Sequence, residues 1–199
     1  MALTSSTFDL MTAPLLILIT GPPATGKSTI ARRLSESLSL PLIAKDDIKE
    51  RLFDSVGWST REWSQKLGRA AFDLTYALIE DQLRVGKPII AEAAFWAESS
   101  RTRFQEILER HPAVVFEIHC TGSADVLAAR YVAREAIDRH AGHSSGMETD
   151  ADELAEIIRS GRYDSLHLAD DVRVIDATIF DDAVITALEL ELRRLLASS

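Results

Sequence analysis

The feature that most constrains this chain is a junction. The apolar run Leu15-Leu16-Ile17-Leu18-Ile19-Thr20 leads straight into Gly21-Pro22-Pro23-Ala24-Thr25-Gly26-Lys27-Ser28, and a helical pattern follows from Lys27. An apolar run without polar alternation describes a strand buried on both faces, which belongs in a parallel sheet covered by helices. The segment after it fits G-x-x-x-x-G-K-S/T in the one context where that spacing has a mechanism, between a strand and the mouth of a helix. Its glycines let main-chain N–H groups turn inward and cradle anionic oxygens at a helix N-terminus. Gly21 to Thr29 is therefore expected to bind a nucleoside triphosphate. Lys27 would reach the β and γ phosphates and Ser28 would offer its hydroxyl to Mg²⁺.

The rest of the chain repeats the strand-then-helix pattern. Apolar runs at Pro41–Ala44, Pro88–Ala91, Val114–Cys120 and Val172–Ile175 are each followed by a helical stretch, which predicts an α/β protein with a five-stranded parallel sheet. Helices are expected at Lys27–Leu38, Asp47–Phe53, Arg61–Val85, Arg101–Arg110, Ala124–Asp138, Asp152–Ser160 and Asp181–Leu196. Residues 1–13 read as a disordered extension and residues 14–199 as a single domain. Residues 139–150, containing Arg139-His140-Ala141-Gly142-His143-Ser144-Ser145-Gly146, have no periodicity and read as a mobile lid.

Charge and cysteine content narrow the partners. A formal net charge of −9 disfavours a long nucleic-acid ligand, whose binding is mostly phosphate neutralisation by Lys and Arg. Cys120 is the single cysteine and lies in an apolar strand, so it reads as a buried thiol. No apolar run is long enough to span a bilayer, and the expectation is a cytoplasmic protein with no membrane association. Oligomeric state is unknown at this level.

The class of nucleotide-binding protein follows from what accompanies the loop. The chain has no asparagine, so the guanine-reading N-K-x-D is absent, and Asp54-Ser55-Val56-Gly57 does not follow a strand. What remains is a small ATP-dependent phosphotransferase. In an open parallel sheet, ligands bind at the carboxyl ends of the strands. Lys45-Asp46-Asp47-Ile48-Lys49 follows the second strand there, so Asp46 or Asp47 is the candidate base for an acceptor hydroxyl, while the other caps the next helix. Glu92 closes the third strand, where it would serve either the metal or the acceptor. Trp96 follows closely, as acceptor lining or partial core. Trp58, Trp63 and Trp96 hint at a ring-bearing ligand, although aromatic residues in such a region are more often core. Arg130 and Arg134 are four apart on one helix face and would neutralise transition-state charge. Arg139, His140 and His143 would touch ligand as the lid shuts.

These segments together resemble the AAA-type small kinase family, which includes polynucleotide 5′-hydroxyl kinases, chloramphenicol phosphotransferase and zeta-toxin-like kinases. The resemblance spans most of Leu15 to Thr178. It implies a nucleoside-monophosphate-kinase-like sheet ordered 2-3-1-4-5, ATP and Mg²⁺ as cofactors, and a hydroxyl acceptor. It also implies Asp46 as base, with Asp47, Lys49 and Trp96 on the acceptor side. Lys49 stands where polynucleotide kinases carry an arginine, and Glu92 replaces the more usual aspartate. Both departures fall on the acceptor side, so the resemblance does not carry the family's substrate identity over; with the acidic net charge against nucleic acid, the expected acceptor is a small hydroxyl compound such as a sugar, nucleoside or antibiotic. A 5′-hydroxyl polynucleotide kinase and a regulatory ATPase lacking an acceptor are the alternatives. The resemblance also sets Arg139 to His143 beside an Arg-His-Pro-Gly-His segment, and brings Asp176-Ala177-Thr178 near the adenine.

Overall fold

The computed structural model describes residues 13–135, 140–144, 150–169, 171–177 and 181–197. Five strands, β1 (Leu15–Thr20), β2 (Leu42–Ala44), β3 (Ile89–Glu92), β4 (Val114–Thr121) and β5 (Val172–Asp176), form one parallel sheet in the order β2-β3-β1-β4-β5. The central strand is β1, and every one of its residues is buried, as an apolar run without alternation requires.

Alternate β1 residues feed two cores. Leu15, Ile17 and Ile19 pack with α1 (Lys27–Leu38) and α8 (Asp182–Ala197), through Ile30, Leu34, Ile185 and Leu192. Leu16 and Leu18 face the opposite side, with α3 (Arg61–Arg84) and α4 (Ala97–Arg110), through Ile79, Leu83, Phe104 and Ile107. A smaller cluster joins α5 (Ala124–Glu135) to α7 (Ala151–Arg159) through Ala128, Tyr131, Leu154 and Ala155. Two further helices are α2 (Lys45–Val56) and the four-residue α6 (Ala141–Ser144).

Several boundaries differ from expectation for local reasons. Helix α2 starts at Lys45 with Ala44 as its N-cap, and no side chain caps it. Asp46 and Asp47 thus both sit in the first turn, where a carboxylate complements the helix dipole, and neither acts as the cap. Helix α4 starts at Ala97, four residues early, because Ser100 is buried where Tyr76 Oη donates to its Oγ at 2.9 Å. Trp96 becomes its N-cap. Within the expected lid, 140–144 holds a helical turn, while Arg139 and 145–149 lie outside the described residues, as do 1–12 and Thr178. Ala13, placed by sequence in the extension, is buried.

Candidate active site

Register explains why the site lies where it does. Glu92 pairs in register with Ile19 on one side and Ala44 on the other, so β1, β2 and β3 end on one level. The chain segments leaving those ends, from Gly21, Lys45 and Glu92, therefore emerge at the same edge of the sheet. A cleft opens there, lined on its donor side by Pro23, Ala24 and Gly26 to Thr29 and on its far side by Lys45, Asp46, Lys49, Phe72, Trp96 and Tyr163, with Glu92 and Arg134 between.

The loop after β1 has the backbone of an anion cradle. Gly21, Ala24 and Gly26 have positive φ values of 120°, 64° and 79°, the last as N-cap of α1. At Gly21 only glycine fits, because a Cβ would lie 1.9 Å from the Cys120 carbonyl oxygen. Thr25 Oγ1 donates to the Pro22 carbonyl at 2.9 Å. Lys27 Nζ donates to the same carbonyl at 2.5 Å and to Thr25 Oγ1 at 3.3 Å, so the ammonium group folds back over its own loop.

Lys27 and Glu92 are both buried. Burial pulls the Lys27 ammonium below its usual range, and the Glu92 carboxylate acts against this; Arg134 adds a smaller lowering. Burial likewise pushes Glu92 up, with Lys27 opposing. Two buried groups of opposite charge favour arrival of a ligand that satisfies them. Ser28 Oγ donates to Glu92 Oε2 at 3.2 Å, so a hydroxyl and a carboxylate already stand together as hard oxygen donors. That donor set suits Mg²⁺, and the left-handed loop suits a phosphate chain. Cys120, beneath the loop, is a free thiol that burial pushes up to about 12, consistent with packing.

The far side is built differently. Asp46 meets Lys45 Nζ at 2.5 Å, and that ammonium lies 5.1 Å from the Phe72 ring centre. Lys49 lies over Phe53 at 5.1 Å. Trp96 is half exposed and carries the Arg162 guanidinium 5.0 Å from its ring centre. Trp58 and Trp63 are also substantially exposed, against the expectation of core.

The family model of the AAA domain matches residues 16–159. The chain belongs to this AAA domain family, a family of P-loop kinases. A shikimate kinase of Rhodococcus jostii is 34% identical over 107 residues, covering 53% of this chain and 60% of that protein. A solved Chloroflexus aurantiacus protein described as a candidate kinase is 32% identical, covers 92% of this chain and 98% of its own, and superposes with a TM-score of 0.79. A gluconokinase of Sinorhizobium meliloti, 18% identical with 94% and 95% of the two chains covered, shares the fold at a TM-score of 0.55. The chain spans between 25% and 60% of the length of the curated relatives it matches.

In this chain the residues singled out by sequence divide into two groups. Lys27, Ser28, Asp46, Lys49, Glu92, Trp96 and Arg134 line one cleft. Asp47 and Arg130 are outside its lining. Asp47 pairs with Arg32 at 2.8 Å on the exposed face of α2, since one residue of helix turns a side chain about 100° from its neighbour. Arg130 Nη1 donates to the Ala177 carbonyl at 3.0 Å and so ties α5 to the end of β5, one turn short of the cleft. Sequence reading missed Lys45, Phe72, Tyr131 and Tyr163 as lining residues. Tyr131 carried a signal, because it is three residues before Arg134 and shares its face. Tyr163, in a turn after α7, carried none.

Proposed function

We propose that this P-loop kinase is an ATP-dependent phosphotransferase that moves the γ-phosphate of Mg·ATP to a hydroxyl of a small molecule such as a sugar, nucleoside or antibiotic-like compound. The observation that carries this reading is the convergence of Lys27, the Ser28–Glu92 pair, Asp46 and Arg134 on one cleft. A cradle alone serves any nucleotide-binding protein. A carboxylate on the opposite wall is what an acceptor requires.

Phosphoryl transfer is mostly positioning and charge stabilisation. Asp46 takes the proton of the acceptor hydroxyl as that oxygen bonds to the γ-phosphorus and the bond to the bridging oxygen of ADP breaks. Lys27, released from the Pro22 carbonyl, and Arg134 balance the negative charge on the transferring group. Bound Mg²⁺ supplies further positive charge at the phosphate oxygens, and Ser28 and Glu92 are the residues that would hold it. The similarity to shikimate kinase supports an acceptor with a small hydroxylated skeleton. The test is incubation with Mg·ATP and a broad panel of hydroxyl compounds, measuring ADP formation against the water background. A phosphorylated product from at least one small compound is expected. Hydrolysis alone throughout the panel would leave the regulatory ATPase alternative standing.

A further inference from the structure

The lining of the cleft includes His143, from the segment that the sequence reading placed in the lid. His140 and α6 lie against α2, the helix that carries Asp46 and Lys49. His140 Nε2 is 3.1 Å from Asp54 Oδ1, and His143 Nε2 is 3.2 Å from Glu50 Oε1. Glu50 and Asp54 are one helical turn apart and so share a face. Phe53 lies between the two pairs, stacked on the His140 ring at 5.3 Å and edge-on to His143 at 5.2 Å. Trp58 closes on His140 from the other side at 5.2 Å. The Gly142 N–H donates to His140 Nδ1 at 3.0 Å, which makes Nδ1 the acceptor and leaves Nε2–H to donate to Asp54. At Gly142 a Cβ would lie 2.6 Å from the buried Phe53 ring, so a side chain there would push the segment off α2.

His143 is buried by this docking, yet it lines the cleft alongside Asp46, Lys49 and Phe72. Its carboxylate partner, Glu50, belongs to α2, the helix that carries Asp46 and Lys49, and its packing ring is Phe53 of the same helix. We propose that His143 contacts the acceptor and determines its specificity, with Glu50 as the positioning residue and 140–143 as a fixed wall of the acceptor pocket. This rests on the kinase reading above. The acceptor class that fits is a hydroxylated ring compound. Imidazole, Phe72, Trp96 and Tyr163 supply flat surfaces, and Lys45, Lys49 and Asp46 supply polar groups.

The test uses full-length protein with Mg·ATP and four probes: shikimate, D-glucose and cytidine as rings, and glycerol as an acyclic control. His143→Asn should raise the KM of whichever ring compound is turned over about tenfold, with the KM for ATP within about twofold. Glu50→Gln should give a smaller rise of the same kind. His143→Ala and Gly142→Ala should both change the ranking of ring compounds against glycerol, the second by displacing the wall without altering any histidine. An unchanged acceptor KM and ranking would overturn the assignment, as would a parallel rise in the KM for ATP. If none of the four is phosphorylated, the kinase reading stands or falls with the broad acceptor panel, and water entry reports on the wall. Basal ATP hydrolysis should then rise at least about threefold in His143→Ala and Gly142→Ala as water occupies the opened space. Unchanged hydrolysis would dispose of the wall.

Discussion

The two halves of the cleft hold their side chains in opposite ways. On the donor half Lys27 and Glu92 are buried, and the backbone is locked at Gly21 by contact with the neighbouring strand. On the acceptor half Trp96 keeps 50% of its surface in solvent and the Asp46 side chain keeps 42%. A triphosphate is a constant ligand, so its site is built from main chain and needs fixed spacing. An acceptor varies, so its site is built from side chains on helices, where one turn or one residue changes what faces inward.

That contrast can be broken by substitution. Lys27→Ala should abolish both turnover and the calorimetric signal of Mg·ATP, a loss on the order of 10³-fold or more in rate. Survival of ATP binding in this variant would remove the donor half as described. Asp46→Asn should lower acceptor phosphorylation about 10²- to 10³-fold with ATP affinity nearly unchanged. Near-normal turnover would shift the base elsewhere in the cleft. Trp96→Ala should raise acceptor KM about three- to tenfold and leave the KM for ATP alone, because an aromatic face contributes on that scale.

Two smaller effects concern stability. Burial raises the Glu92 pKa in the folded protein above its unfolded value, so its contribution is most favourable below the unfolded value and is lost as pH rises through the folded one. Glu92→Gln should therefore raise the Tm of the ligand-free protein by about 3 °C at pH 8, with no gain near pH 4, while impairing Mg²⁺-dependent turnover. A Tm gain equal at both pH values, followed by calorimetry, would contradict the burial argument. Asp47→Asn should be nearly silent, moving Tm by no more than about 2 °C and leaving KM values unchanged, because its pair with Arg32 is exposed.

The donor half was readable in sequence because its chemistry is local. The strand, the left-handed glycines and the helix beginning at Lys27 are contiguous, and α1 occupies the expected residues, Lys27 to Leu38. The sheet order was readable only through family resemblance, since no local pattern encodes which strands are neighbours. Acceptor-side readings failed where rotation about a helix decides the outcome. Asp46 and Asp47 are identical side chains at adjacent positions, and only tertiary placement of α2 turns one inward and gives the other to Arg32. Arg130 and Arg134 share a face as their spacing predicts, yet the end of β5 engages the first before the cleft begins. The tryptophans were misjudged because hydrophobicity argues for burial, whereas Trp96 lies at a helix cap, Trp58 in the α2–α3 connection and Trp63 in the first turn of α3, all on the surface. The docking of 140–143 depends on partners about 85 to 95 residues away, which no window of sequence contains.

Glu117 lies on β4, fully buried, and accepts from Thr20 Oγ1, Ser165 Oγ and the main-chain N–H groups of Leu166 and Leu168. One carboxylate thus fastens a distant stretch of chain to the middle of the sheet, and Arg162 and Tyr163 hang from that fastening. The stretch around 140–144, which precedes α7, can then be exchanged without shifting Arg162 and Tyr163, because α7 keeps its own packing on α5 through Leu154 and Ala155. Descendants of such a chain could trade one acceptor for another by rewriting that excursion, with the anchoring point and the donor chemistry inherited intact.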